Sequence, residues 1–173
     1  VSPMIMLFLA SIIPITVKVF RGNSEQSASA TLIQGLGGIL AAIVLLLVVS
    51  GSGATAFANA LVFDGITKWM GLIALVSSAG ALLLMYDNPS TNGDQFSELV
   101  FLTLSSVIGM MILVSAVDLL MVFVGLETMS LALYLMIAMS HEQKLSKEAA
   151  LKYFILGSFA SAIFLYGIAM TFG

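Results

Sequence analysis

Six continuous apolar stretches, each long enough to cross a lipid bilayer, constrain this 173-residue sequence more than any other feature. A hydrocarbon core of about 30 Å takes roughly 20 apolar residues as a helix. Inside it, every backbone N–H and C=O must find its partner within the protein. The stretches run from Pro3 to Phe20, Leu32 to Val49, Ile66 to Tyr86, Leu99 to Val117, Leu119 to Ser140 and Ala149 to Phe172. They are unbroken, whereas strands of a membrane barrel alternate polar and apolar over about ten residues, so helices are expected. The chain is 60% hydrophobic and 9% charged, against about 45–50% and about 25% in soluble domains. Too few charges remain to cover a water-facing surface. The fold class is therefore all-α, a polytopic transmembrane bundle of six spans.

The connecting segments support this division. Pro14 is placed to kink the first helix, and Gly35, Gly37 and Gly38 suggest a turn at the opening of the second. Arg21 to Ala30 reads as a polar loop, Ser50 to Asn59 as a small-residue linker, and Asp87 to Gln95 as a stretch of turn formers. The join from Ser115 to Asp118 is so short that it forces the fourth and fifth helices into an antiparallel hairpin. His141 to Lys147 forms the fifth loop, with Ser146 as the expected N-cap of the last helix.

Loops one, three and five lie on one side and hold or adjoin Lys18, Arg21, Lys144 and Lys147, while the other side has only Lys68. The excess of basic residues puts those loops in the cytoplasm and the N-terminus outside. The first residues lack the basic region and small-residue cleavage site of a secretory signal.

Several functions are excluded. The formal charge is −3 and the basic residues form no patch, so nucleic acid is not a partner. Without cysteine there is no disulfide, thiol catalyst or cysteine-ligated iron–sulfur cluster, and His141 alone cannot supply a bis-histidine haem. No GxGxxG, P-loop or CxxC pattern occurs, so no cofactor is assigned to this chain.

Two ionisable residues fall inside spans. Glu127 lies near the middle of the fifth, where a charge costs about 2.5–3.5 kcal/mol on insertion scales. Such a residue turns toward other helices or water and marks a functional site by default. Ser130 and Tyr134, three and seven positions on, share roughly its helical face. Lys152 is shallower, so its ammonium can snorkel to the interface. It is read either as an interfacial anchor or as a relay partner of Glu127. Glu127 in turn is either a proton carrier or a neutral carboxyl bonded between helices. Burial and mutual proximity push a carboxyl and an ammonium in opposite directions, which is the minimum machinery of a proton relay. Level, antiparallel helices would put Glu127 about 19 Å and Lys152 about 8 Å from their cytoplasmic ends, so contact needs tilt, reach or water.

Weaker features have plainer readings. Asp118 sits at a helix mouth and reads as a cap, with a place on a proton path as the alternative. Gly157 and Ser161 have a small-xxx-small spacing suited to close helix packing. Asp64 and Lys68, one turn apart, are candidates to pair.

The segment DLLMVFVGLETMSLALYLM (Asp118 to Met136), followed by KEAALKYFILGSFASAIFLYGIA (Lys147 to Ala169), resembles the N-subunit family of bacterial NADH–quinone oxidoreductase, respiratory complex I. VFDGITKWMGLIALVSSAG (Val62 to Gly80) is also similar to the family's third helix, whereas the first two helices match in pattern only. The resemblance implies an antiporter-like fold of about fourteen helices with inverted repeats, of which this chain would hold the N-terminal six. Residues 1–97 would form the first three helices, and residues 98–173 would begin the first repeat. Glu127 matches the family's proton-transferring glutamate, and Lys152 matches a lysine found on helix six of several such subunits. The resemblance further implies proton translocation coupled to quinone reduction, in a bacterial inner membrane. NADH, FMN, iron–sulfur clusters and quinone would be held by other subunits, and the partners would be other membrane-arm subunits and the bilayer. A related cation/proton antiporter, a membrane-bound hydrogenase or a membrane scaffold are the alternatives.

Overall fold

The computed structural model describes residues 2–21, 28–49, 54–87, 95–139 and 144–172. Among these described residues there are six long helices: α1 (Ser2–Arg21), α2 (Ala28–Val49), α3 (Gly65–Asp87), α4 (Phe96–Ser115), α5 (Leu119–Ala138) and α6 (Lys144–Phe172). All six are long and apolar enough to span a membrane, and the protein is a multi-pass membrane protein. Most of the first loop, residues 88–94 of the third and His141 lie outside the described residues.

Helix α4 is the hub, packed against α1, α2, α3 and α5, whereas α6 leans on α5. Phe96, Val100, Leu104, Val107 and Met111 form its buried stripe, with the i, i+4 recurrence of one helical face. Two of its buried hydroxyls bond back into the helix: Thr103 donates to the Leu99 carbonyl at 2.8 Å and Ser115 to that of Met111 at 2.8 Å. A hydroxyl bonded back into its own helix leaves no unpartnered donor in an apolar setting.

The glycine-rich stretch at the opening of the second span lies inside α2, which starts at Ala28, earlier than expected. Gly35 faces Val100 and Leu82, and Gly38 faces Ala10, so the missing side chains bring helices together rather than bend the chain. Helix α6 starts at Lys144, which puts Ser146 inside it instead of at its cap. Lys, Leu, Glu and Ala are good helix formers and carry the helix on past the bilayer. At 29 residues it is about 43 Å long, well over the hydrocarbon thickness. The segment read as a linker holds the start of a β-hairpin, β1 (Ala54–Ala56) paired antiparallel with β2 (Leu61–Phe63).

That hairpin is turned by Phe57, Ala58 and Asn59, all with φ between 52° and 71°. Left-handed backbone costs roughly 1–2 kcal/mol per non-glycine residue, so something must hold it. Val117 N–H donates to the Ala60 carbonyl at 3.0 Å and Leu61 bridges to Ala116, fastening the hairpin to the α4–α5 corner. Leu61 and Phe63 are buried there. Asp64 then caps α3, accepting from the Thr67 N–H at 2.8 Å. The Thr67 N–H, followed by its hydroxyl, holds the Asp64 carboxyl below the usual carboxylate range. The expected Asp64–Lys68 ion pair does not form among the described residues.

Candidate functional site at the helix five–helix six interface

Helix α5 has two working faces. Gly125, Met129, Ala132 and Met136 recur at i, i+4, i+7 and i+11, the spacing of one face. Gly125 and Met129 meet Gly109 and Leu113 of α4, and Met136 meets Thr103. On the opposite side, Phe123, Glu127 and Tyr134 meet α6. Phe123 packs on Phe164 with ring centroids 6.2 Å apart, and Tyr134 packs edge-on against Phe154, also at 6.2 Å. Between these two ring contacts, the Ser161 hydroxyl donates to Glu127 Oε1.

The antiparallel register is therefore fixed at three levels, Phe123 with Phe164, Glu127 with Ser161, and Tyr134 with Phe154. Gly157 makes this approach possible, because a methyl group there would run into the Tyr134 hydroxyl and ring. Glu127 is half-buried and is the only Asp, Glu, Lys or Arg in α5. It stands about 12 Å from the start of a helix about 30 Å long. At that depth the carboxyl is tied to its neighbour helix by one directed hydrogen bond.

The other candidates divide between this interface and other parts of the chain. Ser130 and Tyr134 share the Glu127 side of α5, and Tyr134 is in the interface. Asp118 caps α5, accepting from the Leu120 N–H at 3.1 Å, outside the interface. Lys152 bonds Glu148 at 2.6 Å on an exposed face. It is nine residues before Ser161, so it lies about 14 Å along α6 and roughly half a turn round the axis from it. The structure does not bring Lys152 to Glu127.

Two elements were missed. Ser161 and Gly157 read as packing residues only, because nothing in a sequence fixes which α5 residues they oppose. Their spacing with Phe154 and Phe164, which puts all four on one face, was the available signal. The second element is an ion pair across 80 positions, Lys18 Nζ to Glu98 Oε1 at 2.7 Å, joining the end of α1 to the start of α4. Ser97 donates to the other Glu98 oxygen at 2.9 Å. Lipid tails give apolar helices no hydrophobic reason to prefer one register, so a directed charge pair helps to fix it. Lys18→Glu in the full-length subunit is expected to lower stability by about 1 kcal/mol. The exchanged pair Lys18→Glu with Glu98→Lys should recover most of that in a thermal melt, and a melt as low as that of the single variant would count against the pair.

Comparison with known proteins agrees with this architecture. Residues 116–173 match the family described as "NADH:quinone oxidoreductase/Mrp antiporter, TM". The NADH-quinone oxidoreductase subunit N of Bdellovibrio bacteriovorus is 72% identical over 173 residues, 100% of this chain and 36% of that one. Its counterpart from Granulibacter bethesdensis is 37% identical over 172 residues, 99% of this chain and 35% of that one. A chain of respiratory complex I from Thermus thermophilus with bound aureothin superposes with a TM-score of 0.79 at 28% identity, covering 99% of this chain and 36% of its own length. The chain thus spans little more than a third of the length of the curated relatives it matches.

Proposed function

This chain belongs to the NADH-quinone oxidoreductase subunit N family, whose N-terminal part it matches, and from that premise we propose that it serves in proton translocation by the membrane arm of the complex. Glu127 is the protonatable group. Protonation and release at Glu127 are coupled to quinone reduction elsewhere in the complex, where the other subunits hold NADH, FMN, the iron–sulfur clusters and quinone. Its partners are the neighbouring membrane-arm subunits and the surrounding lipid of a bacterial inner membrane, with the N-terminus outside and loops one, three and five in the cytoplasm.

The observation that carries this reading is the position of Glu127. It is the only Asp, Glu, Lys or Arg of α5, half-buried, turned to α6 and hydrogen-bonded there by Ser161. A carboxyl kept at such depth is costly and marks ion pathways. Lys152 joins that path only through water or a side chain from outside these six helices. Its distance along α6 and its opposite face leave no direct route.

Glu127→Gln keeps the shape and a hydrogen-bonding group but cannot release a proton at any ordinary pH. Inverted membrane vesicles carrying the full-length subunit with that change are expected to assemble the complex and to lose proton pumping. Wild-type pumping in that variant would overturn the reading. The matched family also includes Mrp antiporters, which favours a cation/proton antiporter as the second reading. Sodium-dependent transport by the intact assembly would select it.

A further inference from the structure

We propose that Ser161 is the positioning residue for Glu127, its hydroxyl holding the carboxyl against α6 in both protonation states. The inference rests on the reading of Glu127 as the proton carrier. Ser161 Oγ donates to Glu127 Oε1 across the α5–α6 interface, and both side chains are half-buried. A serine side chain ends one bond beyond Cβ, so it reaches a neighbouring helix only where the two axes come close. Gly157, one turn earlier on the same face, supplies that closeness by leaving room for Tyr134. The ring contacts Phe123–Phe164 and Tyr134–Phe154 hold the register on either side.

The chemistry of the partner matters as much as its reach. An ammonium can only donate, so it would favour the carboxylate and release the acid form. A hydroxyl both donates and accepts. It donates to the carboxylate, and once the carboxylate has taken a proton it accepts from the carboxylic O–H. Its own hydrogen is then free to turn toward a carbonyl of α6, as helical serines do. Glu127 can therefore change protonation state without losing its partner or its place. The lysine on α6 nearest to it is turned to the other side and engaged by Glu148, so within α5 and α6 the polar group that reaches the carboxyl is a hydroxyl.

Threonine and valine at position 161 have nearly the same shape and differ in the hydroxyl. In the assembled complex with the full-length subunit, Ser161→Thr is expected to pump within about twofold of wild type and Ser161→Val about tenfold more slowly per complex, the worth of one hydrogen bond to a charged group. With Glu127→Gln also present, the threonine and valine variants should be indistinguishable. Equal pumping by the two variants would overturn the assignment. So would a loss in the valine variant that merely follows reduced complex content, since that is a structural role. Normal pumping by Glu127→Gln would overturn the proposed function instead. Loss there, with no threonine–valine difference, would sink only the role of Ser161.

Discussion

Alanine at position 109 is expected to part α4 from α5 and to destabilise the subunit by about 3 kcal/mol, at the upper end for an overpacked contact. A Cβ built on Gly109 would lie 2.6 Å from the Met129 nitrogen, 2.9 Å from the Gly125 carbonyl oxygen and 3.0 Å from the Met129 Cα. These are backbone atoms of a helix, and no rotamer change moves them aside. The whole of α5 would have to retreat. In lipid, helices associate through close van der Waals packing, and the interface stabilised by that packing would then be lost along both helices. A Cβ built on Gly125 would make the reciprocal approach, 2.8 Å from the Leu113 nitrogen and 3.0 Å from the Gly109 oxygen. Because one displacement relieves both collisions, the double alanine variant should cost less than the sum of the singles. Gly80→Ala is the control, since nothing lies within 4 Å of that position; there the gain in helix propensity, roughly 0.5–1 kcal/mol, is unopposed. Thermal loss of the subunit from the purified complex measures both. Equal melting of the two variants would mean that the α4–α5 crossing is not tight.

The Gly109–Gly125 crossing also marks how far the sequence could be read. Span number and approximate limits follow from length and hydropathy alone, because a bilayer admits few alternatives for an unbroken apolar run. The short Ser115–Asp118 join likewise dictated the α4–α5 hairpin, and Asp118 is found as its cap. Pairings between helices are another matter. A glycine in an apolar helix reads the same whether it faces lipid, as open positions do, or backbone, as Gly109 does. The β-hairpin was hidden because its strands are three residues each and its turn uses left-handed Phe57 and Ala58, residues that carry no turn signature.

The candidate site divides in the same way. Glu127 is legible because a carboxylate inside an apolar run is expensive wherever the helix sits. Tyr134 follows from helical spacing. Ser161 is not legible as its partner, since that requires the register of α6 on α5, which the two ring contacts set. The same register carries Lys152 to the far side of α6, although in sequence Lys152 is the more conspicuous residue.

Leucine at position 157 is expected to lower pumping at least about tenfold per complex by opening the α5–α6 interface at the level of Tyr134. The added side chain would occupy the space of the Tyr134 hydroxyl and ring edge. The ring can leave only by giving up its edge-on contact with Phe154. Once α6 moves out there, Ser161, one turn further along, no longer reaches Glu127. The interface, rather than the carboxyl, is what fails, so a compensating change should repair it. Tyr134→Leu shortens the opposing side chain and removes most of the obstruction. If Tyr134 serves only to pack, Gly157→Leu combined with Tyr134→Leu should regain pumping toward the wild-type rate. If the Tyr134 hydroxyl itself conducts protons beside Glu127, complex content will recover and pumping will stay low. Unchanged pumping in Gly157→Leu alone would show that the carboxyl works without close contact between α5 and α6, and would remove the physical basis for assigning the site to that interface.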